Sequence, residues 1–204
     1  MSISCQLAIN LLSKLTNEGL FVQYTSKNSA PRNVYAKKLT GHKKSSINNM
    51  FKGAGSYIDV ESNIIDTILC DEGHRLIART QLGPRVVGEN QIKEIMNACL
   101  CSVFFIDESQ RVTLSDIGSV AEIRKWAKEL DSEVSELELL SQFRCNGSNG
   151  YLAWLDDVLE IRETANYDLK DIDYDIRILD TPNEVRDLIF EKNQIDNRSR
   201  MLAG

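Results

Sequence analysis

Two acids in succession follow a short apolar run, where Ile68-Leu69-Cys70 leads into Asp71-Glu72. At a strand tip, an aspartate can hold Mg2+ directly or through water. The neighbouring glutamate can orient and deprotonate a water aimed at a terminal phosphate. One such pair is weak evidence, because strand ends are polar wherever a turn follows. Here the arrangement repeats. Val103-Phe104-Phe105-Ile106 runs into Asp107-Glu108, and Gln110 follows. A glutamine in that place can donate its amide hydrogens to a terminal phosphate. Past a third apolar stretch, Gln142-Phe143-Arg144 places an arginine where it can reach a γ-phosphate as a finger. Three strand ends, each bearing a residue type that nucleotide hydrolysis uses, argue for that chemistry together in a way that Asp71-Glu72 alone does not.

The elements that position these residues alternate along the chain. Leu7, Leu11, Leu12 and Leu15 mark one face of a helix that stops at Gly19, and Leu20 to Tyr24 is a short β-rich run. Ala30 to Leu39 reads as helix, with Pro31 tolerated in its first turn. Lys43 to Ile64 is irregular and reads as an exposed excursion. Thr67 to Cys70 and Cys101 to Ile106 are strands, separated by a helix over Gln91 to Leu100. Ser119 to Leu130 is an amphipathic helix, with Ser119 and Glu122 as a capping box. Val134 to Leu140 and Tyr174 to Leu179 alternate as strands, and Tyr151 to Leu159 is helical. A further helix begins at Thr181-Pro182. Strands alternating with helices imply βαβ units and a mostly parallel sheet. The apolar runs are continuous, as in strands buried on both faces. Ligands of such sheets sit at the carboxyl ends of the strands, which is where the acids fall.

Composition narrows the class. A hydrophobic fraction of 42% with 26% charged residues belongs to a globular protein with a real core. The net charge of −6 argues against a surface coated in basic residues for nucleic acid. A local basic cluster nonetheless runs from Lys27 to Lys52 through Arg32, Lys37, Lys38, Lys43 and Lys44. No apolar run approaches the roughly 18 residues that cross a bilayer, and Met1 to Gln6 carries no secretory signal, so a cytoplasmic location is expected. Cys5, Cys70, Cys99, Cys101 and Cys145 contain no Cys-x-x-Cys pair and read as buried, reduced thiols. His42 and His74 are the only histidines, too few for a histidine metal cluster. Trp126 and Trp154 lie on amphipathic helices, more in the manner of core anchors than of base-stacking platforms.

Asp71–Leu76, Ser102–Thr113 and the block LSQFRCNGSNGYLAWLD (Leu140–Asp156) resemble the Schlafen group 3 DNA/RNA helicase domain, a relative of superfamily-one helicases. Thr25 to Arg32, Lys52 to Ser56 and Ser199 to Gly204 resemble it as well. The resemblance implies a three-layer RecA-like P-loop NTPase fold with ATP-dependent remodelling of nucleic acid as the family role. It implies Asp71 as a Mg2+ ligand through water, Glu72 as the water-activating base, and Gln110 and Arg144 at the γ-phosphate. His74 would couple the nucleotide to the nucleic-acid site, and Thr25, Lys27 and Asn28 would line the nucleic-acid path.

The family opens with a strand and Gly-x-x-Gly-x-Gly-Lys-Ser/Thr, and this chain has Met1-Ser2-Ile3-Ser4-Cys5-Gln6 in that place. Such a loop offers backbone N–H groups, a helix N-terminus and a lysine to the phosphates. The expectation is therefore a core without the first strand and phosphate loop. Residues 1–161 would form a partial NTPase domain, 162–173 a linker, and 174–204 the start of a second RecA-like domain. Mg2+ and ATP would bind weakly or not at all, and the chain by itself would not hydrolyse ATP. The alternative is a non-catalytic module that binds nucleic acid or protein. A sheet edge left exposed would favour a homo-oligomer.

Overall fold

The computed structural model describes residues 3–38, 49–139, 149–161, 163–164 and 176–201. Helix α1 (Ile3–Asn17) presents Cys5, Ala8 and Leu12 to the core at helical spacing. It ends where Gly19 takes a left-handed conformation, φ 89°, and the Leu20 N–H turns back to the Leu15 carbonyl. Strand β1 (Val22–Ser26) follows, buried along its whole length. Then come α2 (Ser29–Lys38), the short strand β2 (Phe51–Gly53) and a 3-10 turn over Ala54–Tyr57. Strand β3 (Ile65–Asp71) leads into a second 3-10 turn, Gly73–Arg75. A hairpin of β4 (Thr80–Leu82) and β5 (Arg85–Val87) precedes α3 (Gln91–Ala98). Strand β6 (Cys99–Phe104) starts directly after α3, and a 3-10 turn over Glu108–Gln110 and α4 (Val120–Glu129) follow.

The main sheet has the order β2-β1-β3-β6, with every pairing parallel. Helices flank it. On one face Ile68 and Cys70 of β3 pack with Ile92, Ile95 and Ala98 of α3 and Trp126 of α4. On the other, Leu69 packs with Val22, Tyr24, Tyr35, Phe51 and the α1 stripe. Alternate residues of one strand thus enter two cores, as the continuous apolar run requires. Trp126 is the core anchor expected of it. Ser119 caps α4 by accepting from the Glu122 N–H at 3.1 Å. The Glu122 carboxylate does not close the box. It accepts instead from Asn90 Nδ2 and Trp126 Nε1, and so ties α4 to the cap of α3.

Several expectations change. The excursion from Lys43 to Ile64 holds edge strand β2 and the buried side chains of Ala54 and Tyr57, a stretch too short for periodicity to reveal. Val134, Leu137 and Leu139 alternate but form no strand; they are exposed, and among the described residues no neighbouring strand takes their backbone bonds. Of the expected strand Tyr174 to Leu179, residues 174–175 lie outside the described residues and 176–179 form no strand. Cys5, Cys70 and Cys99 are buried thiols as expected, Cys101 is exposed on β6, and Cys145 lies outside the described residues. Burial first, with smaller opposing hydrogen-bond effects, pushes the Cys99 thiol up to about 12. Beside Cys101, Leu100 is 67% exposed. Among the described residues, β6 has a strand on one side only.

Contacts divide the chain into two units, Met1–Gly147 and Ser148–Gly204. The second contains α5 (Asn149–Val158) and α6 (Pro182–Ile195). Thr181 caps α6 by accepting from the Glu184 N–H.

Candidate functional site

Because the sheet is parallel, β1, β2, β3 and β6 all deliver their carboxyl ends to one side. Ser26 of β1 lies in register with Asp71 of β3 and with Gly53 of β2, and Cys70 lies beside Phe104 of β6. The acids read from the sequence therefore meet at one edge.

Asp71 is buried, and both its oxygens are engaged. The Tyr24 hydroxyl donates to Oδ2 at 2.7 Å, and the Glu72 N–H donates to Oδ1 at 3.1 Å. Behind Tyr24, Cys5 Sγ lies 3.7 Å from its hydroxyl and 3.0 Å from that of Tyr35. Burial, and then the hydrogen bond to Asp71 and its charge, hold the Tyr24 phenol far above its ordinary range, so it stays protonated as a donor. Asp71 is thus aimed from beneath the sheet by a residue two positions before the strand tip.

Glu72 takes a left-handed conformation, φ 54° and ψ 42°, which costs a non-glycine residue about 1–2 kcal/mol. The turn is held from several sides. The Gly73 N–H donates to the Phe105 carbonyl at 2.8 Å, and the Phe105 N–H donates to the Cys70 carbonyl at 2.9 Å. Gly118 packs so closely that a Cβ built on it would overlap the Gly73 carbonyl oxygen and fall 2.6 Å from His74 Cα. Ser26 Oγ stands 3.5 Å from Glu72 Oε2, near enough for a bridging adjustment but long for a hydrogen bond.

His74 is buried, and its Nδ1 accepts from the Asp107 N–H at 3.2 Å. That fixes a neutral tautomer with the proton on Nε2. Burial lowers its pKa below the ordinary 6.5, while the charges of Glu72 and Asp107 pull the other way. Asp107 also accepts from Gln110 Nε2 at 2.7 Å and from the Ser109 N–H. The two acid-bearing turns are therefore linked through one histidine, and Gln110 is held against the second of them.

Lys27, Arg75 and Asp116 form an ion cluster beside this edge. Asp116 has no exposed side-chain surface; Lys27 Nζ lies 3.0 Å from its Oδ1 and Arg75 Nε 3.0 Å from its Oδ2. The Arg75 contact is an ion pair by distance, not a directed hydrogen bond. The Val112 and Thr113 N–H groups donate to Oδ2. Burial alone would raise the Asp116 pKa; these N–H donors and Lys27 outweigh it and hold the carboxyl well below 3.8. Thr25 is fully buried and donates to the Lys52 carbonyl at 3.3 Å. Asn28 is exposed, and its side chain accepts from the Ala30 N–H at the start of α2. Arg144, and Lys43 and Lys44 of the basic cluster, lie outside the described residues. Tyr24, Asp116 and Gly118 were not singled out from the sequence, where each is one polar or small residue in an unremarkable run.

No group of three His, Cys, Asp or Glu side chains able to hold a metal occurs among the described residues. Asp71 and Glu72 still suit Mg2+ in one way. That ion keeps several waters and takes one or two carboxylates together with phosphate oxygens, so it fits here only with a nucleotide. No helix among the described residues is long and apolar enough to cross a membrane.

An all-parallel α/β sheet with paired acids converging at the carboxyl ends of its strands belongs to the class that binds ligands at that edge. The chain belongs to the Schlafen group 3 DNA/RNA helicase domain family, whose sequence model matches residues 5–204. An uncharacterised protein of Saccharomyces cerevisiae is 25% identical over 156 residues, covering 68% of this chain and 34% of the relative. The chain thus spans about a third of the length of that relative. No solved structure matches it.

Proposed function

We propose that this chain is the metal- and water-handling part of a helicase-like NTPase core of RecA-like fold, acting in ATP-dependent remodelling of nucleic acid. The observation that carries this is the meeting of Asp71, Glu72, His74 and the Asp107–Gln110 turn at one sheet edge. In this reading Asp71 holds Mg2+ through water, Glu72 accepts the proton of the attacking water, Gln110 senses the terminal phosphate and Arg144 contacts it. His74 passes the state of the Glu72 turn to the second acid turn. Thr25, Lys27 and Asn28 mark the nucleic-acid path. Mg2+ would neutralise charge on the phosphates when a nucleotide is bound.

The 204 residues contain no Gly-Lys-Ser or Gly-Lys-Thr triplet, so nothing among them offers the lysine-bearing cradle that phosphates require. The chain by itself is therefore inactive in hydrolysis. Phosphate release from ATP, assayed with Mg2+ and single-stranded DNA or RNA, is expected at background for wild type and Glu72→Gln alike. A Mg2+-dependent turnover that disappears in Glu72→Gln would overturn the inactivity.

A second reading, a non-catalytic binding module, is favoured by the engagement of both Asp71 oxygens by the Tyr24 hydroxyl and the Glu72 N–H. It predicts salt-dependent binding of single strands with no response to Mg2+ and ATP.

A further inference from the structure

The loop after β1 carries Lys27 at the carboxyl edge of the sheet, where the proposed nucleic-acid path begins. Its ammonium is already committed. Asp116 reaches it across 89 positions of sequence and has no exposed side-chain surface. Four groups surround that carboxylate: the Lys27 ammonium on Oδ1, and on Oδ2 the Arg75 guanidinium as an ion pair and the Val112 and Thr113 N–H donors. Among the described residues Lys27 is the cation against Oδ1, so withdrawing it would leave that buried anionic oxygen poorly compensated. An exposed phosphate returns less than this loss, because water and salt screen it. The Lys27 and Arg75 side chains are about a third exposed (32% and 30%), within reach of a ligand yet neutralised from within.

We propose that Asp116 masks the cationic end of β1, so that it, and not the number of basic residues, sets how strongly this edge engages the phosphates of a single strand. The proposal rests on the nucleic-acid reading above. It assigns Asp116 a role opposite in sign to that of a phosphate ligand: removing its charge strengthens binding. Asn at this position keeps an oxygen for the Val112 and Thr113 N–H groups and releases the lysine.

The test is fluorescence anisotropy of a labelled single-stranded oligonucleotide with the full chain between 20 and 200 mM KCl. It compares wild type, Asp116→Asn, Lys27→Met and the double variant, with folding checked by circular dichroism. Each freed cation that neutralises a phosphate steepens the log–log salt slope by about 0.7 on single strands. Asp116→Asn is therefore expected to bind about fivefold tighter at the low end of that range relative to the high end, beyond the wild-type ratio. In the Asp116→Asn background, Lys27→Met should abolish the gain, a coupling that general loosening of the loop would not produce. A folded Asp116→Asn that binds no tighter than a wild type that does bind overturns the masking alone. Absence of wild-type binding at 20 mM KCl overturns the nucleic-acid reading as well. If Asp116→Asn does not fold, the wild-type Lys27 side-chain ammonium resonance decides the matter: unmoved on adding the oligonucleotide, it supports the masking, and shifted, it refutes it.

Discussion

Replacing Gly118 by alanine probes the contact that locks the Glu72 turn. The added methyl group meets backbone, the Gly73 carbonyl and His74 Cα, with no flexible side-chain end to swing aside. Gly118 is not among the glycines with positive φ, so the effect is steric and not conformational. Overpacking of this kind costs about 1–3 kcal/mol, and the upper end applies where the obstacle is backbone. In a chain of this size each kcal/mol moves the melting temperature by about 2–4 °C, so a drop of about 6–12 °C is expected. Gly83→Ala is the control. Gly83 has φ 59° and open space around it, so alanine there meets only the left-handed penalty of about 1–2 kcal/mol. Urea unfolding followed by circular dichroism gives both stabilities, and amide shifts report the local change. Gly118→Ala should displace the resonances of Glu72, Gly73, His74 and Asp107, and Gly83→Ala should leave them in place. A Gly118→Ala protein within about 0.5 kcal/mol of wild type, a surface-like effect, or one with unmoved Glu72–His74 amides, would refute the reasoning.

Two further predictions follow from the same turn. Glu72→Gly relieves the left-handed strain at the cost of a more flexible unfolded chain, and a net gain of about 0.5–1 kcal/mol is expected in urea unfolding; a loss would mean the conformation is not strained. His74 has a folded pKa below its ordinary 6.5, so the unfolded state binds the proton first. Stability is then fully present above about pH 6.5 and declines as pH falls toward the lowered folded value. Subtracting the pH profile of His74→Asn isolates this limb, and identical profiles would show that His74 is not held neutral.

What was legible in the sequence was local. The apolar run entering Asp71 marked a central strand, because burial on both faces removes alternation. The run entering Asp107 marked a strand, β6, that is partly exposed and paired on one side only among the described residues. Ser119 and Thr181 marked helix starts, because their hydroxyls meet an N–H three residues on. Val134 to Leu139 shows the limit of pattern. Alternation describes a surface suited to a sheet, and the strand forms only where a neighbour supplies hydrogen bonds. β2 was missed because three residues carry no period, and its place is set by pairing with Tyr24, Thr25 and Ser26. The finer site was hidden for a related reason. Tyr24 reaches Asp71 and Lys27 reaches Asp116 through folding of the whole unit, and no spacing rule spans 47 or 89 positions. The His74–Asp107 link depended on β3 and β6 being neighbours in the sheet.

The central claim is that Mg2+-nucleotide meets this chain at the ends of β1, β3 and β6. Paramagnetic broadening by Mn2+ and ATP together, read on the amides of isotope-labelled chain, detects even weak binding there. The account predicts broadening at Ser26 to Asn28, Asp71 to His74 and Asp107 to Gln110, lost in Asp71→Asn, with the hairpin of β4 and β5 unaffected. Broadening centred elsewhere, or none with millimolar Mn2+ and ATP, would contradict it.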